Sequence, residues 1–317
     1  MKNNFNLILI FFSTVLLSQD VGFSDILNPV YPDKNELNFK KTHTINTARN
    51  STVDINIVIS SRLYSNIEFI SESKTLNNLI FSEVIDVPVE QNTGLDSRTE
   101  QFKGKINPYV IRRAPFKIYE IINPLNTNKL ISKNTFSLIN VKIPITDKIN
   151  SEKNQIDFKF KINNKKFSLR LKVNIYDVTV PDLNQSNFFY TNWFNLSKME
   201  EYHDLDRWST DWYSMLNKYA KLMASGRQNC VKIPRELIYL KDNEVYLDEE
   251  KMISFINIFL KYGFKYFESP HLLGRGKNDD WGNPELVTNL RGKGYYSEVG
   301  NKEIKDVVLK IKSFTKK

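Results

Sequence analysis

The side chains best able to carry chemistry lie in the C-terminal half of the chain. Asn192 and Trp193 close the aromatic run FFYTNW at residues 188–193. Glu268 and His271 bracket Ser269-Pro270, and Trp281 lies in a loop rich in Gly, Asn and Asp. An amide, a carboxylate and an imidazole offer hydrogen-bonding groups, and an indole offers a flat apolar face with one N–H. These are the candidate binding residues. A packing role competes for four of them: Trp193 as a core aromatic, His271 as a structural histidine, Glu268 as a partner for a lysine, Trp281 as a loop anchor.

Metal and nucleophile chemistry find less support. His43, His203 and His271 lie far apart and show no metal-ligand spacing. Cys230 is the single cysteine, which excludes an internal disulfide framework and a four-cysteine zinc site. With no histidine near it in sequence, it reads as a small buried core residue. The run Asp248-Glu249-Glu250 precedes an amphipathic helical pattern, where carboxylates favour the helix dipole, and reads as capping. Neither a cofactor nor a metal is expected.

The elements that position these groups follow from periodicity. Residues 188–193 suit a short buried strand. Trp212, Met215, Leu216, Tyr219, Ala220 and Met223 then form one face of a helix, with Ser209 as N-cap and Gly226 as stop. Residues 230–233 read as a second strand, and 236–247 as a hairpin around Asp242-Asn243. A second helix carries Met252, Phe255, Ile256, Phe259 and Leu260, between Asp248 and Gly263. Residues 264–267 read as a third strand. A last helix carries Ile304, Val307, Val308, Ile311 and Phe314. Three strand–helix units in succession predict a parallel sheet with helices outside. A closed barrel of eight such units needs about 250 residues, and residues 181–317 offer about 137. The pattern is expected to be part of a barrel, with a small open α/β domain as the alternative.

The preceding region has period two. Val53, Ile55, Ile57 and Ile59 alternate with other residues. So do Ile156, Phe158, Phe160 and Ile162, and, after Asn163-Asn164, Phe167, Leu169, Leu171, Val173 and Ile175. Strand side chains alternate between faces, so this predicts sheets with one buried side, and an antiparallel β-sandwich over residues 25–180. Residues 1–24 read as a signal peptide: Lys2, then an apolar run over 5–17 too short to span a bilayer comfortably, then Gly22-Phe23-Ser24 before a cut at Asp25. No cysteine marks a lipoprotein anchor. The alternative is an uncleaved membrane anchor; either way the folded part is expected outside the cytoplasm, secreted, periplasmic or at the cell surface, with no integral span after cleavage.

Composition bounds the rest. The 317 residues are 41% hydrophobic and 26% charged, which excludes a disordered chain, a collagen-like fibre and a multi-span membrane protein. The net charge of +9 is mostly lysine. Base readout favours arginine forks, and no arginine cluster interleaved with aromatics occurs, so nucleic acid is not an expected partner.

Short motifs in a fixed order carry a family resemblance. Pro88-Val89-Glu90-Gln91-Asn92-Thr93-Gly94 is followed by Asn107-Pro108-Tyr109-Val110-Ile111-Arg112-Arg113-Ala114-Pro115-Phe116. Next come Tyr176-Asp177-Val178-Thr179-Val180-Pro181, then Asn192-Trp193-Phe194, Trp208, and Met223-Ala224-Ser225-Gly226-Arg227-Gln228-Asn229. This order resembles the glycoside hydrolase family 123 proteins, which join a β-sandwich to a (β/α) barrel. The resemblance implies a β-N-acetylgalactosaminidase acting on GalNAc-containing glycans or glycolipid head groups. It implies a substrate-assisted retaining mechanism, in which the 2-acetamido oxygen attacks the anomeric carbon. An aspartate orients the acetamide, and the adjacent glutamate acts as acid and then base. That Asp-Glu pair is expected beyond Lys317, and Asp279-Asp280 lacks the following glutamate. The chain alone is therefore expected to be inactive. In such barrels the site forms at the C-terminal strand ends, which assigns Asn192, Trp193, Glu268, His271 and Trp281 to a sugar subsite. The alternatives are a non-catalytic glycan-binding protein and a structural cell-envelope protein.

Overall fold

The computed structural model describes residues 19–33, 40–90, 111–149, 154–276 and 282–316. The chain divides between Val180 and Pro181 into two compact units.

The first unit is built of strands. In chain order they are β1 (Asp20–Ser24), β2 (Thr42–Arg49), β3 (Ser51–Ser60), β4 (Asn66–Glu72), β5 (Ile80–Val89), β6 (Phe116–Pro124), β7 (Lys129–Ile131), β8 (Phe136–Ile145), β9 (Asn154–Ile162) and β10 (Lys165–Thr179). One sheet has the order β1-β3-β8-β5-β6 and the other β2-β10-β9-β4-β7. The alternating apolar residues of β3, β8, β9 and β10 point into a shared core that includes Ile57, Ile139, Phe158 and Leu171. Their outward neighbours Asp157, Lys159, Arg170 and Lys172 stay in water or half-buried. The β9–β10 hairpin closes over Asn163-Asn164, with Asn163 at positive φ, a conformation asparagine tolerates well.

Two expectations need correction here. β2 runs parallel to β10, so the sheets are not wholly antiparallel. These strands come from opposite ends of the unit, and no hairpin constrains their direction. The unit also begins before Asp25. Asp20–Ser24 is an edge strand paired with β3, and Val21 and Phe23 are core residues. A cut before Asp25 would remove them. Residues 1–18 lie outside the described residues.

The second unit mixes helices with short strands. It contains α1 (Leu196–His203), α2 (Thr210–Ser225), β11 (Cys230–Lys232), β12 (Ile238–Lys241), β13 (Glu244–Leu247), α3 (Glu249–Leu260), β14 (Tyr266–Glu268), β15 (Leu273–Arg275), β16 (Leu286–Thr288) and α4 (Glu298–Phe314). Trp212, Leu216 and Ala220 of α2 pack with Val231, Met252, Phe255 and Phe259 in one core. Side-chain caps fix the helix starts: Ser209 accepts from the Trp212 N–H, Asp248 from Lys251 N–H and Ser297 from Gly300 N–H. Asp242 and Asn243, both at positive φ, turn β12 into β13.

Among the described residues the parallel sheet has two strands, β11 and β14, and not three. Residues 188–193 lie against β11 without forming a strand, and Phe188 and Phe189 are exposed rather than buried. Helix α1 and the β15–β16 pair occur where neither was expected. Buried Glu303 of α4 closes the loop after β16: its carboxylate accepts from Thr288 Oγ1 at 2.9 Å, Leu290 N–H at 3.0 Å and Arg291 N–H at 3.1 Å. No described helix is long and apolar enough to cross a membrane.

Candidate functional site

Two buried amides set the geometry of the second unit's strand ends. Asn229 stands just before β11 and is 1% exposed. Its Oδ1 accepts from the Tyr190 N–H at 2.9 Å, and its Nδ2 donates to the Phe188 carbonyl at 2.7 Å. Its own carbonyl accepts from the N–H groups of Lys265 and Tyr266, each at 3.0 Å. One residue thus joins the 188–190 segment, the start of β11 and the start of β14. It takes up backbone groups that a strand ladder would otherwise satisfy, which is why 188–193 lies against β11 without being a strand. Gln228 adds a second tie, donating from Nε2 to the carbonyls of Asn192, at 3.2 Å, and Cys230, at 2.8 Å.

That frame delivers Trp193 to the C-terminal ends of β11 and β14. Lys232 and Glu268 are register partners there, and the Ile233 N–H donates to the Glu268 carbonyl at 2.8 Å. Trp193 Nε1 donates to Glu268 Oε2 at 3.3 Å. The imidazole of His271 meets the indole at a centroid distance of 5.2 Å and an interplanar angle of 74°. The ammonium of Lys232 stands over the indole, 4.8 Å from its centroid. Trp193 is 66% exposed. It is held by three polar neighbours and keeps most of its surface open to water.

The structure therefore brings Trp193, Glu268 and His271 together. Asn192 is adjacent in chain, and its Nδ2 donates to the Tyr190 hydroxyl at 2.8 Å. Trp281 lies outside the described residues, as do Asp279 and Asp280. Lys232 was missed in sequence, because its contact with Trp193 joins residues far apart in the chain. Gln228 and Asn229 were visible only as part of a motif. Their adjacency, immediately before an apolar triplet, is the signal that could have marked them as clamps.

Cys230 is fully buried, and burial pushes its thiol pKa up, so it holds no ready thiolate. Asp248 caps α3 and is paired with Lys251 Nζ at 2.8 Å, which holds its carboxyl below the ordinary range. Arg227 donates to the Pro181 carbonyl at 2.5 Å, a structural contact. Glu200 accepts from the indole N–H of buried Trp212 at 2.7 Å and is bound by Arg207, so this carboxylate is committed to packing. What the Trp193 cluster offers, among the described residues, is an aromatic platform with a cation, an imidazole and one carboxylate beside it.

No family model matches the chain, and no curated protein matches it. Among solved structures, a family 123 glycoside hydrolase from Clostridium perfringens, studied for glycolipid glycan hydrolysis, is similar with a TM-score of 0.69 at 11% identity. The match covers 93% of this chain and 55% of that enzyme. This chain thus spans about half the length of that enzyme. At such identity the likeness establishes a relationship of fold. A PapD-like domain of human CEP192 matches at a TM-score of 0.22 and 6% identity, over 44% of this chain and 82% of that domain, too low to carry an argument.

Proposed function

We propose that the chain is a glycosidase-like, glycan-binding protein that takes β-linked N-acetylgalactosamine residues at Trp193. The observation that carries this reading is the convergence of Trp193, His271, Lys232 and Glu268 at the C-terminal ends of two parallel strands. The fold likeness to a glycoside hydrolase supports it. Pyranose rings have apolar faces that stack on indoles, and their hydroxyls suit imidazole and carboxylate partners. In this reading β11 and β14 belong to a partial (β/α) barrel, whose strand ends form such sites.

Hydrolysis assisted by a substrate acetamide needs an orienting aspartate and an acid beside it. Among the described residues the cluster has one carboxylate, Glu268, and its Oε2 accepts from the indole N–H. Glu268 serves as a positioning group for Trp193, and these residues bind a sugar without cleaving it. The apolar run over residues 5–17 supports action outside the cytoplasm, on secreted or cell-surface glycans.

The test is binding of β-N-acetylgalactosaminides, plain and substituted, by saturation-transfer NMR and calorimetry, alongside turnover of a chromogenic β-N-acetylgalactosaminide. Trp193→Ala and His271→Ala are each expected to weaken binding by roughly tenfold, consistent with loss of an aromatic contact or a hydrogen bond. Turnover by the chain is expected to be at background. Affinities unchanged in both variants would remove this cluster from any glycan site.

A further inference from the structure

Lys232 is the one member of the cluster whose charge the glycan reading leaves unused. It is half-buried at the end of β11. Its register partner is Glu268, yet that carboxylate accepts from the Trp193 indole, and no ion pair joins the two. Among the described residues no carboxylate lies within ion-pair distance of Lys232 Nζ. The ammonium instead stands over the Trp193 ring, a contact that helps hold it beside the platform.

This placement separates two kinds of ligand. A neutral sugar stacked on Trp193 gains no charge-assisted bond from the ammonium beside it. A sugar with a sulfate or carboxylate substituent offers Lys232 an anionic acceptor, so that the ammonium becomes a charge-assisted donor to the stacked sugar. The carboxylate that would repel such a group, Glu268, is drawn to the indole N–H. The chain's net charge of +9 also favours approach of an anion.

We infer that the Trp193 site selects glycans carrying an anionic substituent, sulfate or carboxylate, which Lys232 recognises. The inference rests on the glycan reading above and names the substrate class for the same site.

The experiment uses the full chain and four probes: methyl β-N-acetylgalactosaminide, its 4-sulfate, its 6-sulfate, and methyl β-glucuronide, with inorganic sulfate as a control. Affinities are measured by calorimetry at low and high salt. At low salt at least one sulfated sugar is expected to bind roughly tenfold tighter than the neutral one, as a charge-assisted bond would give. The glucuronide arm shows whether a carboxylate substitutes for sulfate. Lys232→Met, which keeps the stem and removes the charge, is expected to abolish the preference, and Lys232→Arg to retain it. Added salt narrows the gap, and Trp193→Ala weakens every sugar. Equal affinity for neutral and anionic sugars would overturn the inference and leave the glycan reading standing. Absence of binding to any sugar would overturn both. A preference that survives in Lys232→Met, or that inorganic sulfate reproduces alone, would place the anion contact elsewhere and also overturn it. Circular dichroism confirms that each variant is folded.

Discussion

Asn229 is buried, and its side chain bonds two backbone groups of the segment that carries Trp193. Replacing it with alanine leaves the Tyr190 N–H and the Phe188 carbonyl without those partners. An unsatisfied buried polar group costs about 1–3 kcal/mol. Asn229→Ala is therefore expected to lower stability of the second unit by a few kcal/mol and to displace Trp193. Urea unfolding gives the first effect, and acrylamide quenching of tryptophan fluorescence gives the second. Wild-type values in both would mean that water replaces the amide at no cost. At this scale the sequence was legible where a residue's type announces its use. Trp193, Glu268 and His271 were marked by their chemistry and by lying after apolar runs, and they meet. Asn192 was marked on the same grounds but bonds Tyr190 instead. Asn229 and Lys232 were not marked, because an amide or a lysine gains its role only from partners some forty residues away.

Elements were legible where one face is buried and the pattern is long. The alternation of β9 and β10 and the stripe of α2 each follow from burial of one side only. Short elements carry too few residues for a period, which is why α1, β15 and β16 escaped and why residues 188–193 looked like a strand. The amino-terminal strand shows a different failure: Gly22-Phe23-Ser24 fits the composition of a cleavage site, but pairing with β3 puts Val21 and Phe23 in the core. If a leader is removed, the mature protein is expected to keep Asp20–Ser24, as intact-mass measurement would reveal. A chain starting at Asp25 should lose several kcal/mol, since fully burying one large apolar side chain contributes about 1.5–3 kcal/mol. Equal melting temperatures for chains starting at Asp20 and Asp25 would argue that β1 is dispensable. A second element-scale expectation concerns α4. Alanine raises helix propensity by up to about 1 kcal/mol over glycine, but a Cβ on Gly300 would collide with the Gly294 carbonyl oxygen. That oxygen belongs to backbone and cannot swing aside. Gly300→Ala is thus expected to lower the melting temperature, whereas a rise would mean that the turn at 294–297 yields easily.

Across the whole molecule, charge sets the response to acid. The chain already carries +9 near neutrality. Bonds from Arg112, Arg170 and Lys251 hold Asp33, Asp157 and Asp248 below the usual carboxylate range. Burial would raise Asp86, but bonds from Lys117 and Asn134 prevail and hold it low as well. A carboxylate with a depressed folded pKa stabilises the fold above its unfolded pKa, and that contribution is lost as the pH falls through the folded value. Three of these four groups belong to the strand unit and one to the helical unit. Each protonation also adds positive charge to a chain that already repels itself. Stability is expected to hold down to about pH 5 and to fall steadily toward pH 2. Signals from the sheets in circular dichroism should respond at least as strongly as tryptophan fluorescence, since all four tryptophans lie after Pro181. Asp86→Asn keeps the shape of the side chain and removes its titration, so its melting temperature should start lower at neutral pH and converge on the wild type in acid. Parallel curves across that range would show that Asp86 contributes no pH-dependent stability, and that the acid response comes from the other carboxylates and net charge alone.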